Sequence, residues 1–200
     1  MGKIIWIDTE TTGLYSSRNA IIELAVIIDI NGSIASEFTI QFKPHDGAKI
    51  EPRALEINGR TEEEIDSFPE LQFGIIKFKQ KMKSYVNKFD PKDKFIAAGY
   101  NILFDLGFIR EAFTRAGDKF GIGSWCFNCP IDVWSSIGRY MVMNELQLPN
   151  FKLETMCNHF KIELNAHNPM SDITATRELF YRIEEELSNG RRHDLAAQNG

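Results

Sequence analysis

Two apolar runs, Ile21 to Ile30 and Ser33 to Lys43, flank the dipeptide Asn31-Gly32, which constrains the fold more than any other feature. Asn-Gly between strand-like runs marks a two-residue hairpin, because both central positions of the favoured turn need positive φ. The two runs are therefore expected to pair antiparallel. Ahead of them, Lys3 to Asp8 is a short Ile-rich run ending in an acid, which reads as a buried central strand. Alternation along the third run places Ile34, Phe38, Ile40 and Phe42 on one face. Glu37, Thr39, Gln41 and Lys43 fall on the other.

Beyond residue 43 the pattern changes. Residues 44–69 carry Pro44, Gly47, Pro52, Gly59 and Pro69 and read as loop, with Thr61 and Glu64 as a capping box for a short helix. Glu70 to Val86 has a helical stripe of Leu71, Ile75, Phe78, Met82 and Tyr85. Phe95 to Tyr100 is a fourth strand, followed by a helix from Ile102 to Ala116, and Pro130 to Val133 is a short fifth strand. Helices are expected over Val133–Met143, Leu153–Phe160 and Ser171–Leu187, with Gly190 ending the last. A hairpin meander followed by alternating strands and helices predicts an α/β fold, a mixed five-stranded sheet flanked by helices. The 200 residues suit one domain with a proper core. No apolar run approaches the roughly 20 residues that span a bilayer, so no membrane partner is expected. Three Cys make a disulfide framework unexpected, and the start of the chain lacks a signal-peptide layout. A cytoplasmic location is expected.

Three acidic motifs then stand out. Asp8-Thr9-Glu10 ends the first strand, and residues two apart share one side of a strand. Asp105 lies in the first turn of the helix after the fourth strand, in Asn101-Ile102-Leu103-Phe104-Asp105. His167-Asn168-Pro169-Met170-Ser171-Asp172 opens the last helix, where Pro169 suits a first turn and Ser171 is the expected cap. Each motif alone is explained by ordinary strand-end, helix-start or capping chemistry. Together they place acids at strand ends of an open α/β sheet, where ligands bind. Hard cations such as Mg²⁺ take such oxygen ligands.

The constellation resembles the DEDDh branch of the DnaQ-like 3′-to-5′ exonucleases, which have a ribonuclease-H-like fold. The family's Asp-x-Glu-Thr-Thr-Gly-Leu stands at residues 8–14, its Asn-x-x-Phe-Asp at 101–105 and its His-x-x-x-x-Asp at 167–172. Ile21-Ile22-Glu23, Ile57-Asn58-Gly59-Arg60-Thr61 and Lys152 to Cys157 also look like family segments, although Asn58 replaces the usual His and Pro169 a common Ala. The resemblance spans residues 3 to about 187, so an exonuclease domain is expected over 1–188 and a flexible tail over 189–200.

The resemblance implies a nuclease in which Asp8, Glu10, Asp105 and Asp172 hold two Mg²⁺, with Mn²⁺ as a substitute, and His167 is the general base. Thr11, Gly13, Leu14, Asn58, Asn101 and Phe104 are the expected substrate contacts. The implied partner is a nucleic acid 3′ end, preferably single-stranded, with a polymerase or other replication or repair protein and a homodimer also in view. DNA is the first reading and an exoribonuclease for RNA ends or short oligoribonucleotides the alternative. A catalytically silent binding module is a third, disfavoured by the intact acids and His. The net charge of −5 lacks the usual basic footprint of nucleic-acid binding, but it includes acids that bound cations would neutralise. The lysines 77, 79, 81, 83, 88, 92 and 94 read as a solvated helix face. Cys126, Cys129, Cys157 and His159 offer four zinc ligands on paper, but the tight second pair in an apolar helix favours free thiols.

Overall fold

A computed structural model describes residues 2–165 and 168–198, with side chains through residue 189. Strands β1 (Lys3–Thr11), β2 (Ile21–Ile30), β3 (Ser33–Gln41), β4 (Ile96–Gly99) and β5 (Ile131–Asp132) form one sheet in the order β3-β2-β1-β4-β5. β2 pairs antiparallel with both β1 and β3, whereas β4 and β5 add in parallel. The hairpin turn is as expected, with Asn31 at φ 55° and Gly32 at φ 83°.

Alternation along β1 divides the core in two. Ile5 and Ile7 pack under α3 (Leu71–Met82) and α4 (Ile102–Arg115). Trp6 packs on the opposite face under α5 (Val133–Met143), α6 (Leu153–Phe160) and α7 (Pro169–Gln198), edge-on to Phe180 at 5.4 Å. These three side chains are essentially inaccessible to solvent. Each contributes about 2 kcal/mol of burial and fixes the strand that ends in the acids.

Four local expectations differ from the structure. Besides the expected short helix after Thr61, α2 (Glu62–Asp66), residues 44–69 contain an unexpected one, α1 (Pro52–Asn58). Pro52 and Gly59 begin and end α1 rather than breaking structure, because Pro suits the first helical turn and Gly the position just after the last. A register shift between Ile28 and Asp29 sets Ile34 opposite Asp29 instead of on the face of Ile40, and Ile34 is exposed. The helix expected over Glu70–Val86 is α3, which stops at Met82. α7 continues past Gly190 to Gln198.

A buried acid ties α7 to the sheet. Asp29, on β2, is 1% exposed and accepts hydrogen bonds from Arg177 Nε and the Tyr181 hydroxyl, both at 2.9 Å. This pair spans 148 residues of chain. It anchors the helix whose first turn carries Asp172.

Candidate active site

The extended backbone of β1 sends Asp8 and Glu10 toward the α7 side and Thr9 toward the α4 side. Asp105, in the first turn of α4, is buried and accepts a hydrogen bond from Thr9 Oγ1 at 2.7 Å. Asp172 lies in the first turn of α7, its N–H donating to the Asn168 carbonyl at 2.9 Å. The cap there is Asn168, not Ser171: Asn168 Oδ1 accepts from Ser171 N at 3.0 Å, while Ser171 Oγ accepts from Asn165 N at 2.9 Å. His167 lies outside the described residues.

Electrostatics group the four acids. Burial pushes the Asp8 carboxyl well above its usual range, and Asp105, Glu10, Asp172 and Glu23 push it further. Glu10 is pushed up to about 7, first by burial and then by Asp172 and Glu23, with Arg60 pulling the other way. Asp105 is also pushed up to about 7, mainly by burial; the Thr9 hydroxyl opposes this and Asp132 adds to it. Carboxyls with raised proton affinity in a protein cleft mark a functional site or a cation site.

Among the described residues, no three His, Cys, Asp or Glu side chains already stand in a metal-holding arrangement. Mutual repulsion nevertheless reaches across the acids, because charge acts over longer distances than the roughly 2.1 Å of a coordination bond. The donor chemistry is all carboxylate oxygen and self-repelling, which fits a hard divalent cation.

Next to Glu10 is a mostly apolar cavity of about 260 Å³. Thr11, Gly13, Leu14, Asn58 and Phe104 all line it, so five of the six expected substrate contacts converge. Leu14 is 70% exposed at its mouth. The wall is rigid for local reasons. Asn58 Nδ2 donates to the Thr11 carbonyl at 2.9 Å, which ties α1 to the end of β1. Asn19, almost fully buried, donates to the Lys49 carbonyl at 2.8 Å and accepts from Tyr15 N at 3.0 Å. A side chain at residue 13 would collide with that carboxamide, so Gly13 accommodates Asn19 as well as facing the cavity.

Asn101, the sixth expected contact, sits outside this cavity. It precedes α4 in a left-handed conformation, φ 57°, with its N–H donating to Asp132 Oδ1 at 3.0 Å. The same Oδ1 accepts from Trp134 N at 3.1 Å, so Asp132 joins the start of α5 to the end of β4. Neither Asp132 nor the Arg60–Glu23 ion pair, at 2.6 Å, was evident from the sequence as part of this neighbourhood. Glu23 stands opposite Glu10 across the β1–β2 pair. Arg60 also pairs with Glu64, so Thr61 caps α2 while the Glu64 side chain is drawn away from the reciprocal bond of a capping box.

Comparison with known proteins identifies the family. Residues 5–180 match the RNase_T family, described as Exonuclease. The chain belongs to this exonuclease family. Members of this DnaQ-like family are metal-dependent 3′-to-5′ exonucleases. DNA polymerase III PolC-type of Halalkalibacterium halodurans is 30% identical over 182 residues, which are 90% of this chain and 11% of that protein. The chain thus spans about a tenth of the length of such polymerase relatives. Ribonuclease T of Shewanella frigidimarina is 28% identical over 190 residues, covering 88% of this chain and 80% of the ribonuclease. E. coli Exonuclease I, solved in complex with a dT13 oligonucleotide, has the same fold: TM-score 0.75 over 98% of this chain and 43% of that one, at 20% identity.

Two sequence features remain outside the site. Cys126 packs in the α3–α4 core and Cys157 in the α7 core, with the sheet between them, so the four paper ligands do not share one zinc site. Lys79 pairs with Asp118 at 2.6 Å and Lys94 donates to the Gly123 carbonyl at 2.6 Å. Among the described residues, no helix is long and apolar enough to cross a membrane.

Proposed function

We propose that this chain removes nucleoside monophosphates one at a time from the 3′ end of a single strand, with DNA as the first substrate. The single observation that carries this is placement: Asp8 and Glu10 at the end of β1, Asp105 in the first turn of α4 beside Thr9, and Asp172 in the first turn of α7 stand close enough to repel one another, beside a nucleotide-sized cavity. Asp8, Glu10 and Asp172 would hold one divalent cation and Asp8 with Asp105 a second, Mg²⁺ or Mn²⁺. Bound there, such cations supply water activation and stabilisation of charge on the leaving oxygen.

The remaining roles belong to the chain itself. The cavity beside Glu10 takes the terminal nucleoside, with Leu14 and Phe104 against its base and the backbone of Thr11 to Gly13 along its sugar. Asn58 serves chiefly by holding the Thr11 carbonyl, which keeps that wall in place. His167, five residues before Asp172, takes the proton of the attacking water, since a neutral imidazole accepts a proton near pH 7.

The Ribonuclease T relative, similar in length to this chain, supports RNA as a second reading. The polymerase relatives support action for a replication or repair polymerase, whether as a segment or as a recruited protein. Parallel digestion of matched DNA and RNA strands decides between the substrates. His167→Ala is expected to lose most turnover while Mg²⁺ still raises its melting temperature; turnover near wild type would remove His167 from the mechanism.

A further inference from the structure

The rim of the site carries two exposed rings that the terminal pocket does not use. Trp134, in the first turn of α5, is 47% exposed, and Phe151 is 46% exposed. The two rings meet at 6.3 Å with an interplanar angle of 77°. Rings crossed at this angle leave at least one flat face uncovered.

The backbone of both residues is tied to the edge of the sheet where the acids lie. Asp132 Oδ1 accepts from Asn101 N at 3.0 Å and from Trp134 N at 3.1 Å, which keeps the start of α5 beside the loop that leads into Asp105. The charge of Asp132 is felt at Asp105. The Tyr100 hydroxyl, from the residue before Asn101, donates to the Phe151 carbonyl at 2.5 Å. Asn150 Oδ1 accepts from Lys152 N at 3.0 Å and from the Thr155 hydroxyl at 2.7 Å, which fixes the turn that presents Phe151. The backbone that presents each ring is thus held in place before any ligand arrives, so little main-chain freedom is lost on stacking.

We propose that Trp134 and Phe151 form a stacking platform for the unpaired bases upstream of the scissile bond, so that the enzyme requires several single-stranded nucleotides at the 3′ end. This rests on the exonuclease reading of the same crevice. Placement and stacking chemistry together favour a single-stranded nucleic acid as the occupant. The platform adjoins the crevice from which such a strand would emerge. Flat rings stack on any base regardless of sequence, which suits an enzyme that moves along a strand. A base paired in a duplex is already stacked on its neighbours, and so competes poorly for the rings.

The other two tryptophans, Trp6 and Trp125, are inaccessible, so Trp134 dominates any ligand-induced change in tryptophan emission. The experiment compares wild type, Trp134→Ala, Trp134→Phe and Phe151→Ala on two substrates. One is a single-stranded oligothymidylate of about a dozen residues, and the other is the p-nitrophenyl ester of thymidine 5′-monophosphate, which occupies only the terminal pocket. Trp134→Ala and Phe151→Ala should raise KM for the strand about tenfold more than for the ester, and Trp134→Phe should recover most of the loss. The strand should quench tryptophan emission in the non-cleaving Asp8→Asn protein, whereas thymidine monophosphate should not.

Equal losses on strand and ester, or strand binding seen by anisotropy without quenching, would overturn the platform and leave the exonuclease reading intact. A wild type that hydrolyses neither substrate would overturn both. Melting curves of the variants separate a lost contact from a lost fold.

Discussion

Asp105→Asn removes one buried negative charge while keeping the size of the side chain and an oxygen for the Thr9 hydroxyl to donate to. Asp105 is 3% exposed, and its carboxyl is pushed from 3.8 up to about 7. A carboxyl whose folded value lies above its unfolded value keeps a proton on folding that the unfolded chain has already lost. The site therefore costs nothing below about pH 4. Stability then falls as pH rises, and the penalty is complete above about pH 7. At roughly 1.4 kcal/mol per pH unit, the full interval corresponds to about 4 kcal/mol at most. The neighbouring carboxyls share protons among themselves, so about 2 kcal/mol is a reasonable lower figure. For a domain of this size that is a rise of roughly 5–15 °C in melting temperature.

The assay is thermal unfolding in EDTA from pH 5 to pH 8, with and without added Mg²⁺. Wild type should lose stability across that range and regain it with Mg²⁺. Asp105→Asn should melt higher than wild type at pH 8 in EDTA, gain less from Mg²⁺ and be inactive. A wild-type profile that is flat with pH, together with an Asp105→Asn protein no more stable than wild type, would refute the idea that desolvated carboxylates, with their neighbours' charge added, destabilise the metal-free site.

Three further substitutions test the supports of the site. Gly13→Ala forces a Cβ against the buried Asn19 carboxamide and should cost about 1–3 kcal/mol, read by urea unfolding, with a larger fall in activity than in stability because the cavity wall shifts. Arg177→Met leaves Asp29 buried without its ion pair and should cost about 3–5 kcal/mol by the same measurement; a cost below about 1 kcal/mol would mean that α7 is held by its apolar face alone. Arg60→Ala strips Glu23 of its partner and withdraws the positive charge that lowers Glu10, so metal-free stability at pH 8 should fall by more than at pH 5.

The legible parts of the chain were those governed by nearby residues. Asn31-Gly32 and the apolar runs located β2 and its turns because a hairpin is a local object. The acids were legible because each sits where a strand ends or a helix begins, and those ends are visible in the periodicity. What was not legible depended on pairing at a distance. Ile34 changed faces because of a slip in β2–β3 pairing that alternation within β3 cannot show. The Asp29–Arg177 bond joins residues 148 apart, and neither residue looks unusual in its own segment. The cap of α7 is Asn168 because the helix starts at Pro169, which makes Ser171 its third residue and the donor to that cap. α1 was hidden because Pro52 and Gly59 signal a short helix as readily as a loop.

If the four acids hold cations that activate water, the terminal phosphodiester at a 3′ end is the bond that breaks. The most direct test is a time course on a 5′-labelled single strand with Mg²⁺ or EDTA, for wild type and Asp8→Asn. A ladder shortening from the 3′ end with mononucleotide release is expected, abolished by EDTA and by Asp8→Asn. Cleavage that persists in EDTA, or immediate loss of the 5′ label as a mononucleotide, would contradict it.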